Sequence, residues 1–143
     1  MLDKLNNKMT LTFDAISENE SFARASVAAF VSRLNPTLAE IMEIKTAVSE
    51  AVTNAIIHGY ENYPAGDVTI TCCITGREVA VEIIDLGRGI SDINQAREPL
   101  YTSKPEMERS GMGFTVMEEF MDAIEITSKE GEGTTILLKK TLA

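Results

Sequence analysis

A chain of 143 residues, 44% apolar and 24% charged, has the size and balance of one globular domain, 1–143, able to bury a continuous core. A formal net charge of −9 argues against a direct nucleic-acid surface, which needs clustered Lys and Arg, but leaves room for a nucleotide held by backbone amides and Mg2+. No apolar run is long enough to span a bilayer, and Met1-Leu2-Asp3-Lys4 opens no secretory signal, so a cytoplasmic protein with no membrane attachment is expected.

Lys8 to Phe13 has the composition of a first strand. Ser17 begins Ser-Glu-Asn-Glu, which predicts a capping box with Glu20 and a helix to about Leu34, stopped by Asn35-Pro36. Along it Ala23, Val27, Phe30 and Leu34 form a core stripe. Phe22, Ala25 and Ala29 make a second apolar flank, read as a homodimer contact, with extra core burial as the alternative. Thr37 repeats the capping device with Glu40 and opens a second helix through Ile57, with Gly59 just past its end. Its core stripe is Ile41, Ile44, Val48, Ala51, Val52 and Ala55.

Asp67–Thr75 and Glu78–Asp85 read as a hairpin about Gly76-Arg77. Cys72 and Cys73 are neighbours in the first of these strands and point to opposite faces, which disfavours a disulfide between them; with His58 the only histidine, a zinc site is not expected. Ser91 to Arg109 is polar, interrupted by Pro99 and Pro105, and long for a connection, which suggests a functional lid over 91–110. A helix from about Met112 to Met121 and a last hairpin, Ala123–Ser128 with Thr134–Thr141, complete the order β-α-α-β-β-(lid)-α-β-β. That order predicts an α+β two-layer sandwich: a mixed, largely antiparallel sheet with helices on one face.

Three segments carry chemistry. Glu50 and Asn54 lie at i, i+4 and stack on one helix face. They could be solvated residues of an outer face, or a base one turn from a carboxamide oxygen that holds Mg2+. Asp85 closes an apolar strand and is followed by Gly87, Gly89 and Ile90. The segment reads as an ordinary turn, or as a carboxylate accepting from an exocyclic amine while glycines admit a flat ring. Ser110-Gly111-Met112-Gly113-Phe114 opens a helix and reads as a hinge, or as a set of backbone amides for phosphate oxygens. P-loop and Rossmann glycine patterns are absent.

In order and spacing these segments resemble the GHKL ATP-binding family of gyrase, MutL and the histidine kinases. Glu50 and Asn54 match its N box, Asp85-x-Gly87-x-Gly89 its first glycine box, Gly111-x-Gly113 its second, and Gly133-Thr134 its late Gly-Thr element. With no transducer domain and no phosphoacceptor-histidine helix expected, the chain looks most like the free-standing serine-kinase branch. Sporulation members of that branch silence a sigma factor and phosphorylate a serine of an anti-anti-sigma partner.

The resemblance implies roles. Glu50 would be the catalytic base and Asn54 the Mg2+ ligand. Asp85 would accept from the adenine amine, with Gly87, Gly89, Ile90 and Thr134 beside the base. Ser110, Gly111, Met112, Gly113 and Phe114, with Lys104 and Arg109 of the lid, would hold ATP's phosphates. Arg24 would contact sigma or the anti-anti-sigma protein, and a homodimer is implied too. The alternatives are a related stress-response or switch kinase of the same branch, a nucleotide-dependent sigma-sequestering module without catalysis, and an ATPase acting on water.

Overall fold

Strict alternation of buried and half-buried residues decides the sheet. The computed structural model describes residues 6–59, 66–90, 97 and 113–143. In β2 (Asp67–Thr75) Val68, Ile70, Cys72 and Ile74 are buried, and in β3 (Glu78–Asp85) Val79, Val81, Ile83 and Asp85 are. The period of two puts each set on one face. Both strands and the Gly76-Arg77 turn fall where the sequence puts them. β1 (Asn6–Asp14) runs beside β2, and β5 (Gly133–Thr141) beside β3 with β4 (Ala123–Lys129) at the far edge. The spatial order is β1-β2-β3-β5-β4 and each of the four pairings is antiparallel, the limiting case of the largely antiparallel sheet expected.

Among the described residues three helices cover the buried face: α1 (Asn19–Val31), α2 (Leu38–Asn54) and α3 (Gly113–Phe120). α2 is central, flanked by α1 and α3 and packed on β3 and β5, while α1 meets β1 and α3 meets β4. Ile44, Ala47, Val48, Ala51 and Val52 fill the middle of the core from α2. Ile41 of the expected stripe packs only at the edge, and Ala47 takes a buried place. In α1 the stripe is Ala23, Val27 and Val31, continued by Leu34; Phe30 is only partly buried because Val31 occupies the inward position. Phe22 is 55% exposed, and Ala25 and Ala29 are exposed, so this flank is not core.

The two expected capping boxes part company. Thr37 Oγ1 accepts the Glu40 N–H at 3.1 Å, and Glu40 Oε1 accepts the Thr37 N–H at 2.8 Å. The other Glu40 oxygen accepts the Ala143 N–H, and these amide donors, Ala143's first, hold its carboxyl below the usual carboxylate range. Ser17 makes no such box: α1 begins at Asn19 with no side-chain cap. Glu20, the carboxylate that would have closed it, instead accepts from Ser49 Oγ of α2 at 2.7 Å. A tertiary partner has won over the local one.

Helix ends are also set by identifiable residues. The α1 path tightens into a 3-10 turn (Ser32–Leu34) and stops at Asn35, which takes the left-handed conformation asparagine tolerates, one residue before Pro36. α2 stops being α-helical at Asn54 and passes into a π-helical turn (Ala55–Gly59), where a continuous helix through Ile57 was expected. Ala55 N–H is shared between the carbonyls of Ala51 and Val52, so the last α-helical bond is already a three-centre one. Five apolar-rich residues carry no periodicity that separates the two windings. At the other end of the core, buried Lys140 donates to the Phe120 carbonyl at 2.8 Å and pairs with Glu43 at 3.2 Å, tying the end of α3 to β5 and α2.

Thr37→Ala should lower stability by about 1 kcal/mol, the usual worth of an N-cap. Ser17→Ala should stay within about 0.5 kcal/mol, as for a surface site without a cap. Urea midpoints of the two variants at pH 7 test the difference, and equal losses would mean that Ser17 caps α1 in solution.

Candidate functional site

Register places three polar side chains in one transverse row. Asp85 of β3 is opposite Thr134 of β5, and Thr134 is opposite Ser128 of β4. Beyond Asp85 the row continues into Val68 and Phe13, so its polar half meets an apolar half. Asp85 and Thr134 are 4% and 5% exposed.

The Asp85 carboxylate accepts the Gly87 N–H at 3.0 Å, a turn closed by its own side chain, and a further backbone hydrogen bond from Thr134. No ion pair reaches it among the described residues, and burial pushes its pKa up to about 6 despite the two amide donors. Two N–H bonds leave part of a carboxylate's acceptor capacity unused. A buried acceptor of this kind suits an uncharged N–H donor such as the exocyclic amine of a base.

The glycine segment after Asp85 is held against the β4–β5 turn. Ile90 N–H donates to Ser128 Oγ at 2.7 Å, and Gly131 N–H to the Arg88 carbonyl at 2.6 Å. Glycine is required at two points of this contact. A Cβ on Gly89 (φ +77°) would stand 2.2 Å from the Lys129 carbonyl oxygen, and one on Gly133 (φ +98°) 2.2 Å from that of Asp85. Both positions combine a left-handed backbone with no space for a side chain.

Glu50 and Asn54 are half-buried on the last turns of α2, and the π-helical turn that follows Asn54 packs on β3 and β5, the strands that carry Asp85 and Thr134. Among the described residues no group of three or more His, Cys, Asp or Glu side chains could hold a metal. A carboxamide oxygen such as that of Asn54 fits a hard cation that draws its remaining ligands from phosphates and water. Gly113 and buried Phe114 open α3.

Lys104, Arg109, Ser110, Gly111 and Met112 lie outside the described residues, as does the expected lid except for Arg97, whose Nε bonds Glu118 of α3 at 3.0 Å. Arg24 stands apart on α1, 3.7 Å from Glu20. Sequence reasoning missed Ser128 and Lys140. A serine before Lys-Glu-Gly-Glu reads as turn chemistry, and only the β4–β5 register turns it into a site residue.

Residues 13–140 match the histidine kinase-like ATPase domain family. An anti-sigma F factor of Anoxybacillus flavithermus is 61% identical over 96% of this chain and 94% of its own, and one of Clostridium acetobutylicum is 62% identical over 97% and 96%. The crystal structure of the RsbU and RsbW domains of Rv1364c from Mycobacterium tuberculosis superposes with a TM-score of 0.68 at 23% identity. It covers 95% of this chain, which spans 32% of that one, and at this identity it speaks for the fold. The chain belongs to the histidine kinase-like ATPase family and, within it, to the family of the anti-sigma F factors. No helix among the described residues is long and apolar enough to cross a membrane.

The raised pKa of Asp85 makes a signed prediction. Its folded pKa of about 6 lies above the 3.8 of an ordinary aspartate. Its protonated form therefore favours folding below pH 4, and that contribution is lost as pH rises through 6. Two units correspond to about 3 kcal/mol. The nucleotide-free Asp85→Asn variant should gain up to that much stability relative to wild type between pH 4 and 7, read from paired urea titrations. A flat difference curve would place Asp85 in water.

Proposed function

We propose that this chain is a cytoplasmic anti-sigma factor of the sigma F type, acting in sporulation as a homodimer. In this reading it binds ATP with Mg2+ and phosphorylates a serine of an anti-anti-sigma protein. The observation that carries the nucleotide reading is the buried pair Asp85 and Thr134, opposite each other on β3 and β5, the two strands on which the turn after Asn54 also packs. Identity near 60% to anti-sigma F factors over nearly the whole chain supports the partners.

Bound Mg-ATP supplies the transferable phosphoryl group and a cation that spreads its charge. Asp85 accepts from the adenine amine and fixes the base, with Gly87, Gly89, Ile90 and Thr134 around it. Asn54 offers a carboxamide oxygen to the cation. Gly113 and Phe114, with Lys104, Arg109, Ser110, Gly111 and Met112 of the preceding segment, hold the phosphate end. Residues 91–110 form the lid of this single domain. Glu50 takes the proton of the partner's serine hydroxyl as that oxygen bonds to the γ-phosphorus and the bond to ADP breaks. Positioning and charge stabilisation provide most of the acceleration such a transfer needs.

Arg24 and the exposed flank Phe22, Ala25 and Ala29 on α1 serve protein contacts, Arg24 toward sigma or the anti-anti-sigma protein and the apolar flank toward the second copy. A base at position 50 favours a kinase over a module that only sequesters sigma, because binding alone does not require one.

Purified protein given γ-labelled Mg-ATP and an anti-anti-sigma protein should move label to a serine of the partner. Glu50→Gln should bind ATP with unchanged affinity and transfer at least about a hundredfold more slowly, the usual worth of a general base. Full transfer by Glu50→Gln would remove Glu50 as the base. ATP and sigma bound by wild type with no transfer would make the protein a sequestering module.

A further inference from the structure

Ser128 is the most connected hydroxyl of the described site, and its single proton has to be shared. Its Oγ accepts the Ile90 N–H at 2.7 Å, lies 3.0 Å from the Gly133 carbonyl, and lies 2.8 Å from Thr134 Oγ1. The carbonyl only accepts. If Ser128 donates to it, the Thr134 hydroxyl must donate to Ser128 and can turn only lone pairs toward Asp85. If Ser128 donates to Thr134 instead, the Thr134 proton is released toward the site. The in-register row Ser128, Thr134, Asp85 therefore has two proton arrangements, and they present opposite faces to a ligand.

We propose that Ser128 is a positioning residue for base recognition, setting the Thr134 hydroxyl as a donor beside the Asp85 acceptor. The inference rests on the ATP reading above and names how that site selects its base. Next to the amine that Asp85 accepts, adenine carries a ring nitrogen that only accepts. A 6-oxopurine reverses both positions, with an oxygen where the amine was and an N–H beside it. The arrangement Ile90 N–H to Ser128, Ser128 O–H to Thr134, Thr134 O–H to the base runs in one sense, so each bond polarises the next. It matches a 6-aminopurine and opposes a 6-oxopurine. Ser128, itself on β4, also accepts the Ile90 N–H in either arrangement, so the same hydroxyl joins the glycine segment to the β4–β5 hairpin.

The test uses the full chain with Mg2+ and nucleoside diphosphates, so that no turnover enters. Affinities for ADP and IDP are measured by calorimetry for wild type, Ser128→Ala, Ser128→Thr, Thr134→Val and the double variant Ser128→Ala/Thr134→Val. Wild type should prefer ADP. Ser128→Ala should weaken ADP about tenfold, the worth of one well-made hydrogen bond, and IDP less than about twofold. Ser128→Thr, which keeps the hydroxyl, should restore the preference. Because Ser128 acts through Thr134, adding Ser128→Ala to Thr134→Val should narrow the preference no further. Equal weakening of ADP and IDP, or an unchanged preference in Ser128→Ala, would overturn the proposal while leaving ATP binding intact. A wild type that binds neither diphosphate would instead overturn the ATP reading, and this inference with it.

Discussion

The pairing of β3 with β5 is the constraint on which the site depends. It sets Asp85 opposite Thr134, brings Gly133 so close to the Asp85 carbonyl that no Cβ fits, and puts a backbone N–H donor within reach of a buried carboxylate. A slip of one residue would turn every side chain of β5 to the opposite face. Ile136 and Leu138 would leave the core with Thr134, at a cost of about 2 kcal/mol for each apolar side chain exposed. The same packing that stabilises the sheet therefore locks the polar row, and the row needs no stabilising energy of its own to stay in place. It in fact costs stability, because a carboxylate is held at 4% exposure without a cation among the described residues. Such a cost is tolerated where a ligand later offsets it.

The helix layer follows from the sheet order. With β3 and β5 inside the sheet, the central helix α2 packs on both, and so does the π-helical turn that follows it. Winding in a π-helical turn directly after Asn54 places one more residue per turn there than an α-helix would, a device often found at functional sites. Lys140 fastens the far end of α3 to β5 and α2, leaving the Gly113 end as the one that faces the preceding segment. In the proposed function this asymmetry suits an element that is fixed at its C-terminus and receives phosphates at its N-terminus.

What could be read from the sequence was local. β2 and β3 were legible because alternating β-branched residues surround a Gly-containing turn, and the start of α2 because its capping box closes within four residues. The ordered motifs were legible as a set and point to the family the comparisons establish. Illegible features depend on residues distant in the chain. Glu20 leaves Ser17 for Ser49, 29 positions away, and no local pattern announces that exchange. Ser128 and Lys140 acquire their roles from strand register and from the end of a helix in another layer. Burial of Asp85 was also beyond the pattern: an acid at the end of an apolar strand looks the same whether its carboxylate meets water or a neighbouring strand.

One contact joins the outer surface of α1 to the helix of the site, and its size limits what it can do. Ser49, next to Glu50, donates to the Glu20 oxygen that Arg24 approaches at 3.7 Å. Arg24 is 39% exposed on its side chain, and exposed pairs of this kind contribute up to about 1 kcal/mol. A protein partner that drew Arg24 away could change the balance at Glu20 by no more than that amount, which moves an equilibrium about fivefold. A decisive change of state takes about 5.5 kcal/mol of differential affinity. In the proposed function α1 therefore supplies a contact and a modest bias. In that reading any switch between partners would have to arise where the two nucleotide states differ most, at the proposed phosphate end, because a partner's preference can be no larger than the difference the nucleotide makes between the states it meets.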